Sequence, residues 1–131
     1  AASDVYKRQI INISNDIQSE VMNVIGNVNN KTCIIVDDII DSGGTIVNAA
    51  KVLKEKGAKD VHVYVSHGVL SGGAVEKIKK SKVKNLVVTD TIDNLDKVKK
   101  VKNIEILSIS HLVGEAIKRI SNSTSVSDLF N

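Results

Sequence analysis

Short apolar runs that alternate with amphipathic stretches are the feature that most constrains the fold of this chain. Runs of strand length, rich in β-branched residues, occur at Cys33–Val36, Val61–Val65, Leu86–Val88 and Ile104–Ile109. The run Cys33–Val36 is apolar on both faces, which is typical of a buried parallel strand. Apolar spacing of three and four residues predicts intervening or following helices at Thr45–Lys56, Ala74–Lys79 and His111–Ile120. The sequence therefore predicts one α/β domain, an open parallel sheet with flanking helices.

The segment before Cys33 is less regular. Residues Asn15–Ile25 predict a helix that ends at Gly26, and a short strand over Val21–Ile25 is the alternative. Residues Asn27–Lys31 predict a polar turn. The run Ser3–Gln9 is similar to a translated sequencing adapter, so we expect residues 1–9 to be non-native and the native chain to begin near residue 10, inside a longer protein.

Composition excludes several classes of protein. The chain has 131 residues, 42% of them hydrophobic and 25% charged, which is enough for one folded core and too apolar for a disordered tail. A single cysteine, Cys33, excludes a disulfide scaffold. The sequence has no signal peptide and no apolar run near the roughly 20 residues of a membrane span, so we expect a soluble, cytoplasmic protein without a membrane partner. A net charge of +3 and only three aromatic residues argue against a nucleic-acid partner.

The segment Val36–Thr45 carries the chemistry. It follows a predicted buried strand and opens a predicted helix, the place where open α/β sheets bind ligands. The backbone N–H groups of its last four residues can converge on one anion at the helix N-terminus, and their two hydroxyls add donors; these residues are Ser42, Gly43, Gly44 and Thr45. This arrangement suits a terminal phosphate.

Three carboxylates beside this loop narrow the ligand class. No Lys precedes Thr45, which excludes a Walker A loop, and the glycine spacing does not fit a dinucleotide fingerprint. Asp37, Asp38 and Asp41 would repel a bound anion unless they face hydroxyl groups or Mg²⁺. A sugar phosphate meets both demands. An N-cap and turn without a ligand is the alternative, and strand alternation leaves open that Asp37 or Asp38 is structural.

The same loop resembles the phosphoribosyl diphosphate loop of proteins with the type I phosphoribosyltransferase fold. Further segments make the chain similar to the ribose-phosphate diphosphokinase family, specifically to its C-terminal portion, over about residues 17–130. These segments are Glu20–Gly26, Gly57–Ala58, Ser66–Gly72, Val88–Ile92, Glu115–Ile120 and Ser125–Phe130. The resemblance implies that residues 10–131 are the C-terminal phosphoribosyltransferase-like domain of a two-domain enzyme.

The resemblance implies a reaction and a set of roles. The family transfers a diphosphoryl group from ATP to the C1 hydroxyl of ribose 5-phosphate with Mg²⁺, and phosphoryl-type transfer depends mainly on positioning and charge neutralisation. By the family pattern, the 5-phosphate is bound by Asp41, Ser42, Gly43, Gly44 and Thr45. Asp37 and Asp38 would meet the ribose hydroxyls and water bound to Mg²⁺. A homo-oligomer is implied for the full-length protein.

Departures from the family pattern limit what this chain alone can do. The family's ATP-binding domain is absent, and Ile10–Ser14 lacks the basic residues of its catalytic loop, so we assign no catalytic residue and expect the chain alone to be inactive. A small phosphoribosyltransferase and a non-catalytic regulatory or scaffolding homologue are the alternatives. The former needs a flexible catalytic loop, for which residues 66–73 are short.

The C-terminal tail and several residues outside the loop also carry expectations. Ser125, Ser127 and Phe130 resemble the family's tail at a subunit contact near its regulatory site, with a frayed terminus as the alternative. For His67 we favour a turn role over ligand contact, and for Ser71–Gly73 a helix start over a second anion site. Cys33 is expected in the core. The remaining expectation is a solvated face that carries Lys97, Lys99, Lys100 and Lys102.

Overall fold

A computed structural model of the chain describes residues 10–11 and 26–130. Its centre is a parallel five-stranded sheet in which the strands lie side by side in the order of the sequence. The strands are β1 (Ile10–Ile11), β2 (Thr32–Ile40), β3 (Asp60–Gly68), β4 (Asn85–Thr89) and β5 (Ile104–Leu107). The helices are α1 (Gly44–Glu55), α2 (Ala74–Lys80), α3 (Leu95–Val98) and α4 (Ser110–Ser121), and a 3-10 turn follows at Ser127–Leu129. The predicted α/β fold class is confirmed.

One face of the sheet holds the core. In β3 the side chains of Val61, Val63 and Val65 are buried, whereas Tyr64 between them is exposed. Helix α1 presents its apolar stripe to this core, because residues spaced by three and four lie on one face of a helix. The buried stripe is the predicted one, Ile46, Ala49, Ala50 and Leu53. The helix ends at Glu55, one residue before the predicted Lys56, and Gly57 follows with a positive φ of 89°.

Strand β2 is longer than the sequence predicted. The sequence predicts a strand at Cys33–Val36 and a loop over Asp37–Gly44, and the loop prediction is wrong for its first four residues, because β2 stays paired with β3 as far as Ile40 opposite Gly68. The apolar pair Ile39 and Ile40 continues the strand after the two aspartates, and Ile40 is buried. Only residues 41–43 remain between β2 and α1.

The remaining helix predictions agree with α2 and α4 to within a residue or two. Strand β1, the single turn α3 and the 3-10 turn were not predicted, because elements of two to four residues carry no readable periodicity. The polar turn before β2 is present, with the Lys31 N–H bonded to the Val28 carbonyl at 3.0 Å. The predicted helix at Asn15–Ile25 and the adapter-like residues 1–9 lie outside the described residues.

The apolar face of α4 is exposed within the described part of the chain. None of its residues is buried, and Leu112, Val113, Ile117 and Ile120 remain open to solvent. The predicted amphipathic helix is confirmed. Nothing within residues 26–130 packs over its apolar face. No helix among the described residues is long and apolar enough to cross a membrane.

Candidate functional site

The site lies where β2 passes into α1, at the carboxyl edge of the sheet. Gly43 is the N-cap of α1 and has a φ of 75°, a left-handed conformation that glycine adopts without strain. No side chain caps this helix, and its first turn contains no acidic residue. Because the first N–H groups of a helix have no intrahelical acceptor, those of Gly44, Thr45 and Ile46 are available to an anion.

The segment between β3 and α2 fixes this loop from one side. The Val69 and Leu70 N–H groups donate to the Ile40 carbonyl at 2.9 and 3.2 Å, and the Ser71 N–H donates to the Asp41 carbonyl at 3.1 Å. The Ser71 hydroxyl also donates to the Asp41 carboxylate. Four hydrogen bonds therefore join two loops at the edge of the sheet and hold the Asp41 side chain in place.

Five predicted phosphate-binding residues form a continuous segment here. Gly43 is buried, and the other four, Asp41, Ser42, Gly44 and Thr45, are exposed. A Cβ on Gly43 would lie 3.6 Å from the Ala74 Cβ and 3.7 Å from the Ile78 side chain. Helix α2 therefore packs directly against the loop, and Ser71–Gly73 starts this helix as favoured from the sequence, with Gly73 as its N-cap.

Asp37 and Asp38 lie on β2 just before the loop. Asp37 is half-buried and Asp38 is exposed, and the Asp38 N–H donates to Asp37 Oδ1 at 2.9 Å. Burial raises the pKa of Asp37, and the Asp38 carboxyl beside it raises it further, while the hydrogen bond from the Asp38 N–H lowers it. A cation or a hydroxyl donor at this position would relieve the repulsion between the two carboxylates.

This pair fits Mg²⁺ in its usual protein setting. Residues 10–11 and 26–130 contain no cluster of three or more His, Cys, Asp or Glu side chains that could hold a metal ion. Mg²⁺ is commonly held by one or two carboxylates together with water and substrate phosphate, and therefore does not require such a cluster. Two adjacent carboxylates, one of them exposed, supply the donor set of that kind of site.

Lys77 is a residue that sequence reasoning did not connect with the loop. Its Nζ donates to the Ser42 carbonyl at 3.2 Å, from a position 35 residues away along the chain. No Lys or Arg occurs between Thr32 and Ala50, so the cation reaches the loop from α2. The spacing of four between Gly73 and Lys77 does not predict the contact of Lys77 with the loop. This contact depends on how α2 packs against Gly43.

A second polar cluster lies at the ends of β3 and β4. The Thr89 and Thr91 hydroxyls donate to the Ser66 carbonyl at 2.6 and 3.0 Å, and His67 Nδ1 lies 2.9 Å from Thr91 Oγ1. Because a hydroxyl has only one proton, Thr91 accepts from His67, and Nδ1 therefore carries a proton. The favoured turn role of His67 is wrong, because β3 continues through this residue, which pairs with Ile39 of β2.

The buried side chain of Asn94 hydrogen-bonds to the end of β3. Its Nδ2 donates to the Gly68 carbonyl and to the Ile92 carbonyl at 3.4 Å. Its Oδ1 is buried without a hydrogen-bond partner among the described residues. Gly68 has no room for a side chain, because a Cβ there would lie 3.1 Å from Val88 Cγ1.

The C-terminal tail is tied to α4. Arg119 donates through Nη1 to the Ser125 carbonyl at 2.9 Å and through Nε to Glu115 Oε1 at 3.1 Å. The Ser125 hydroxyl donates to Asp128 Oδ1 at 3.2 Å, and Phe130 is largely exposed. Ser127 is exposed and begins the 3-10 turn. Ser125, Ser127 and Phe130 follow the end of α4.

Cys33 and the lysine run lie in the environments that the sequence predicts for them. Cys33 is half-buried and packs against the core, and burial raises the pKa of its thiol, as expected for an inert cysteine. The predicted solvated lysine face is confirmed, with every one of its members exposed: Lys97, Lys99, Lys100 and Lys102.

The fold and the site define an α/β protein with an uncapped, glycine-rich helix start next to paired carboxylates. Comparison with protein families extends this description: the model of the phosphoribosyl synthetase-associated domain matches residues 3–131. The chain belongs to this family.

Two curated relatives are named ribose-phosphate pyrophosphokinase. The protein from Brucella melitensis biotype 1 is 55% identical over 114 residues, which are 87% of this chain and 37% of the relative. The protein from Hyphomonas neptunium is 58% identical over the same length and share of this chain, and 36% of that relative is covered. The chain thus spans little more than a third of these enzymes.

A solved structure agrees with the fold. The crystal structure of phosphoribosylpyrophosphate synthetase from Mycobacterium smegmatis matches with a TM-score of 0.70 and 37% identity. The match covers 76% of this chain and 33% of that chain. The predicted resemblance to the diphosphokinase family is therefore confirmed, and the family is one of enzymes.

Proposed function

We propose that this chain is the ribose 5-phosphate-binding part of a ribose-phosphate diphosphokinase. In the complete enzyme, the C1 hydroxyl oxygen of ribose 5-phosphate forms a bond to the β-phosphorus of ATP, the bond between the α- and β-phosphoryl groups breaks, and AMP leaves. The observation that carries the proposal is the free start of α1 at Gly43–Thr45, which follows Asp37 and Asp38 of β2 across the short connection at residues 41–43. An anion site and two hydroxyl acceptors at one edge are what a sugar phosphate requires.

Each group has a role in this proposal. The N–H groups of Gly44 and Thr45 and the Thr45 hydroxyl bind the 5-phosphate, and the Asp41 carboxylate keeps the loop joined to Ser71. Asp37 and Asp38 accept hydrogen bonds from the ribose hydroxyls and orient C1. Asp37 and Asp38 would also hold Mg²⁺ through water, and the ion would supply charge neutralisation for the transferred group.

We further propose that the chain is the C-terminal portion of the longer enzyme, with residues 10–131 forming its phosphoribosyltransferase-like domain. This placement rests on the order of sequence motifs, from Glu20–Gly26 to Ser125–Phe130, and not on the comparisons. Sequencing the complete gene tests this placement. We expect the upstream reading frame to encode a second α/β domain that binds ATP and a basic catalytic loop. A second domain encoded only downstream would contradict the placement.

Several properties of the whole enzyme follow as part of the same proposal. Because the basic loop and the ATP-binding domain would lie upstream, the 131-residue chain alone would not catalyse the reaction. The complete enzyme would be a cytoplasmic homo-oligomer. Ser125, Ser127 and Phe130 would lie at a subunit contact, a role that the exposure of the Phe130 ring supports.

A phosphoribosyltransferase is less well supported by the same geometry. The connection between β3 and α2 consists of residues 69–73 alone, and its backbone is bonded to Ile40 and Asp41. A loop of this length, fixed at both ends, offers no flexible cover for a base or for a reacting phosphoribosyl group. A non-catalytic homologue would keep the same binding loop and differ only outside this chain.

A titration of the 131-residue chain tests the binding proposal. We expect ribose 5-phosphate with Mg²⁺ to shift the backbone amide resonances of residues 37–45 in a saturable way in NMR spectra, with ribose alone producing much smaller shifts. Thr45→Val removes one hydroxyl with little change in shape, and we expect about a tenfold weaker affinity, equivalent to about 1.4 kcal/mol.

Thr124→Val is the matched control, because Thr124 bonds to the Arg119 carbonyl at the far end of α4. We expect this variant to bind as the unmodified chain does. Shifts centred elsewhere, or equal effects of the two Thr→Val substitutions, would contradict the proposed site.

A further inference from the structure

We propose that Lys77 is a phosphate-binding residue of this site and that its ammonium group moves from the Ser42 carbonyl to the phosphate of the sugar when the ligand binds. The inference rests on the proposed function and adds to it a side chain from another element. It is carried by a contact within the structure, the 3.2 Å hydrogen bond from Lys77 Nζ to the Ser42 carbonyl.

The charge balance of the loop requires a cation from outside it. A sugar phosphate is an anion, and the segment that would bind it contains Asp37, Asp38 and Asp41 without any Lys or Arg between Thr32 and Ala50. Backbone N–H groups supply only partial positive charge. Within residues 26–130, Lys77 is the cation that hydrogen-bonds to the Asp41–Thr45 loop.

Packing holds the base of the Lys77 side chain close to the loop. Ala74 and Ile78, on the same helix as Lys77, are fully buried and lie against the position of Gly43. The Lys77 N–H bonds to the Gly73 carbonyl at 3.1 Å, so the residue belongs to the ordered helix. The position of the Lys77 backbone is therefore fixed relative to the N-terminus of α1.

The ammonium group itself remains free to change partner. Lys77 is exposed, and its bond to Ser42 uses one of three protons on a flexible four-carbon side chain. Ser42 directly precedes the N-cap Gly43, so the ammonium group already lies at the residue before the start of α1. A charge-assisted bond to phosphate is stronger than the bond to a neutral carbonyl.

Ser71 supports this arrangement by holding the carboxylate that would otherwise compete. Its hydroxyl donates to the Asp41 side chain, and its N–H donates to the Asp41 carbonyl. The same short segment thus restrains the Asp41 carboxylate and leads into the helix that carries Lys77. The Asp41 carboxylate accepts from Ser71, while the Lys77 ammonium group bonds to the Ser42 carbonyl.

The test compares Lys77→Met with two lysine controls in the 131-residue chain. Lys80→Met removes a charge from the same helix, and Lys97→Met removes an ammonium that bonds to another edge carbonyl, that of Val69, at 3.3 Å. The probes are ribose 5-phosphate and inorganic phosphate, and the readout is the amide shifts of Gly43–Thr45. We expect Lys77→Met to weaken both ligands about tenfold, or about 1.4 kcal/mol, and the controls to stay within about twofold.

Two further readouts separate binding from folding. Lys77→Arg keeps the charge, so we expect it to bind within about threefold of the unmodified chain, and Lys77→Met should reduce the salt dependence of binding. Unchanged affinity in Lys77→Met, with shifts still centred on the loop, would overturn the role of Lys77 and leave the proposed function intact. Equal weakening by all three Lys→Met variants would also overturn it. No saturable shift in the unmodified chain would overturn both proposals.

Discussion

At the scale of single residues, the loop could be recognised from the sequence and its cation could not. Gly43 and Gly44 are visible as a turn that opens a helix, and the positive φ of Gly43 agrees with that interpretation. Lys77 is 35 residues from Ser42 and belongs to a lysine-rich helix in which nothing distinguishes it from its neighbours. Only the packing of α2 against Gly43 brings it to the loop.

Asp37 provides a prediction about stability. We expect Asp37→Asn to raise the free energy of unfolding at pH 7 by about 0.5 kcal/mol, a modest value because the side chain is largely screened by solvent. Burial and the neighbouring Asp38 make the charged form of Asp37 unfavourable in the folded protein. The amide keeps the oxygen that accepts the Asp38 N–H, so the local backbone contact survives.

The pH dependence of this effect has a defined sign. Because the pKa of Asp37 is raised by folding, its stabilising contribution is fully present below the unfolded-state pKa of about 3.9 and is lost as the pH rises through the folded-state pKa. The advantage of Asp37→Asn should therefore shrink toward zero as the pH falls below about 4. Urea unfolding between pH 3 and 7 measures it, and a variant that is less stable than the parent at pH 7 would contradict this assignment.

At the scale of elements, the hydrophobic periodicity predicted which segments are helices and which are strands, but it missed the length of some of them. The stripe Ile46–Leu53 predicted α1 well because a buried helix face repeats every three to four residues. The two aspartates hid the end of β2, since polar residues after an apolar run normally mark a loop. Strand β2 continues because β3 offers pairing partners as far as Gly68. The end of β2 therefore depends on the sequence of β3 and not on that of β2 itself.

A matched pair of helix substitutions tests the exposure of α4. Ile46 in α1 is 2% exposed and Ile117 in α4 is 62% exposed, so Ile→Ala removes the same atoms from two different environments. We expect Ile46→Ala to lower the free energy of unfolding of the 131-residue chain by about 2–5 kcal/mol. Ile117→Ala should change it by no more than about 0.5 kcal/mol.

Chemical denaturation of both variants measures the difference, and the helix propensity of the introduced residue is the same in each. A loss above about 1.5 kcal/mol for Ile117→Ala would mean that its side chain is buried in this chain, contrary to the exposed face described here.

At the scale of the whole molecule, the order of the strands determines where the site lies. Five parallel strands in sequence order bring the ends of β2, β3, β4 and β5 to one edge, and the two polar clusters described above both lie there. The parallel sheet and the position of the ligand edge followed from the sequence, whereas β1 and the order of the strands did not. How this third of the relatives' length joins the rest could not be predicted from residues in this chain alone.

The most direct test of the central claim uses the protein extended to the full length of its relatives and measures steady-state formation of AMP from ATP and ribose 5-phosphate. We expect activity with Mg²⁺, and we expect Thr45→Val to raise KM for ribose 5-phosphate about tenfold while KM for ATP stays within about twofold. An enzyme without this activity, or a Thr45→Val variant in which KM for ATP rises instead, would contradict the assignment of the Asp41–Thr45 loop to the sugar phosphate.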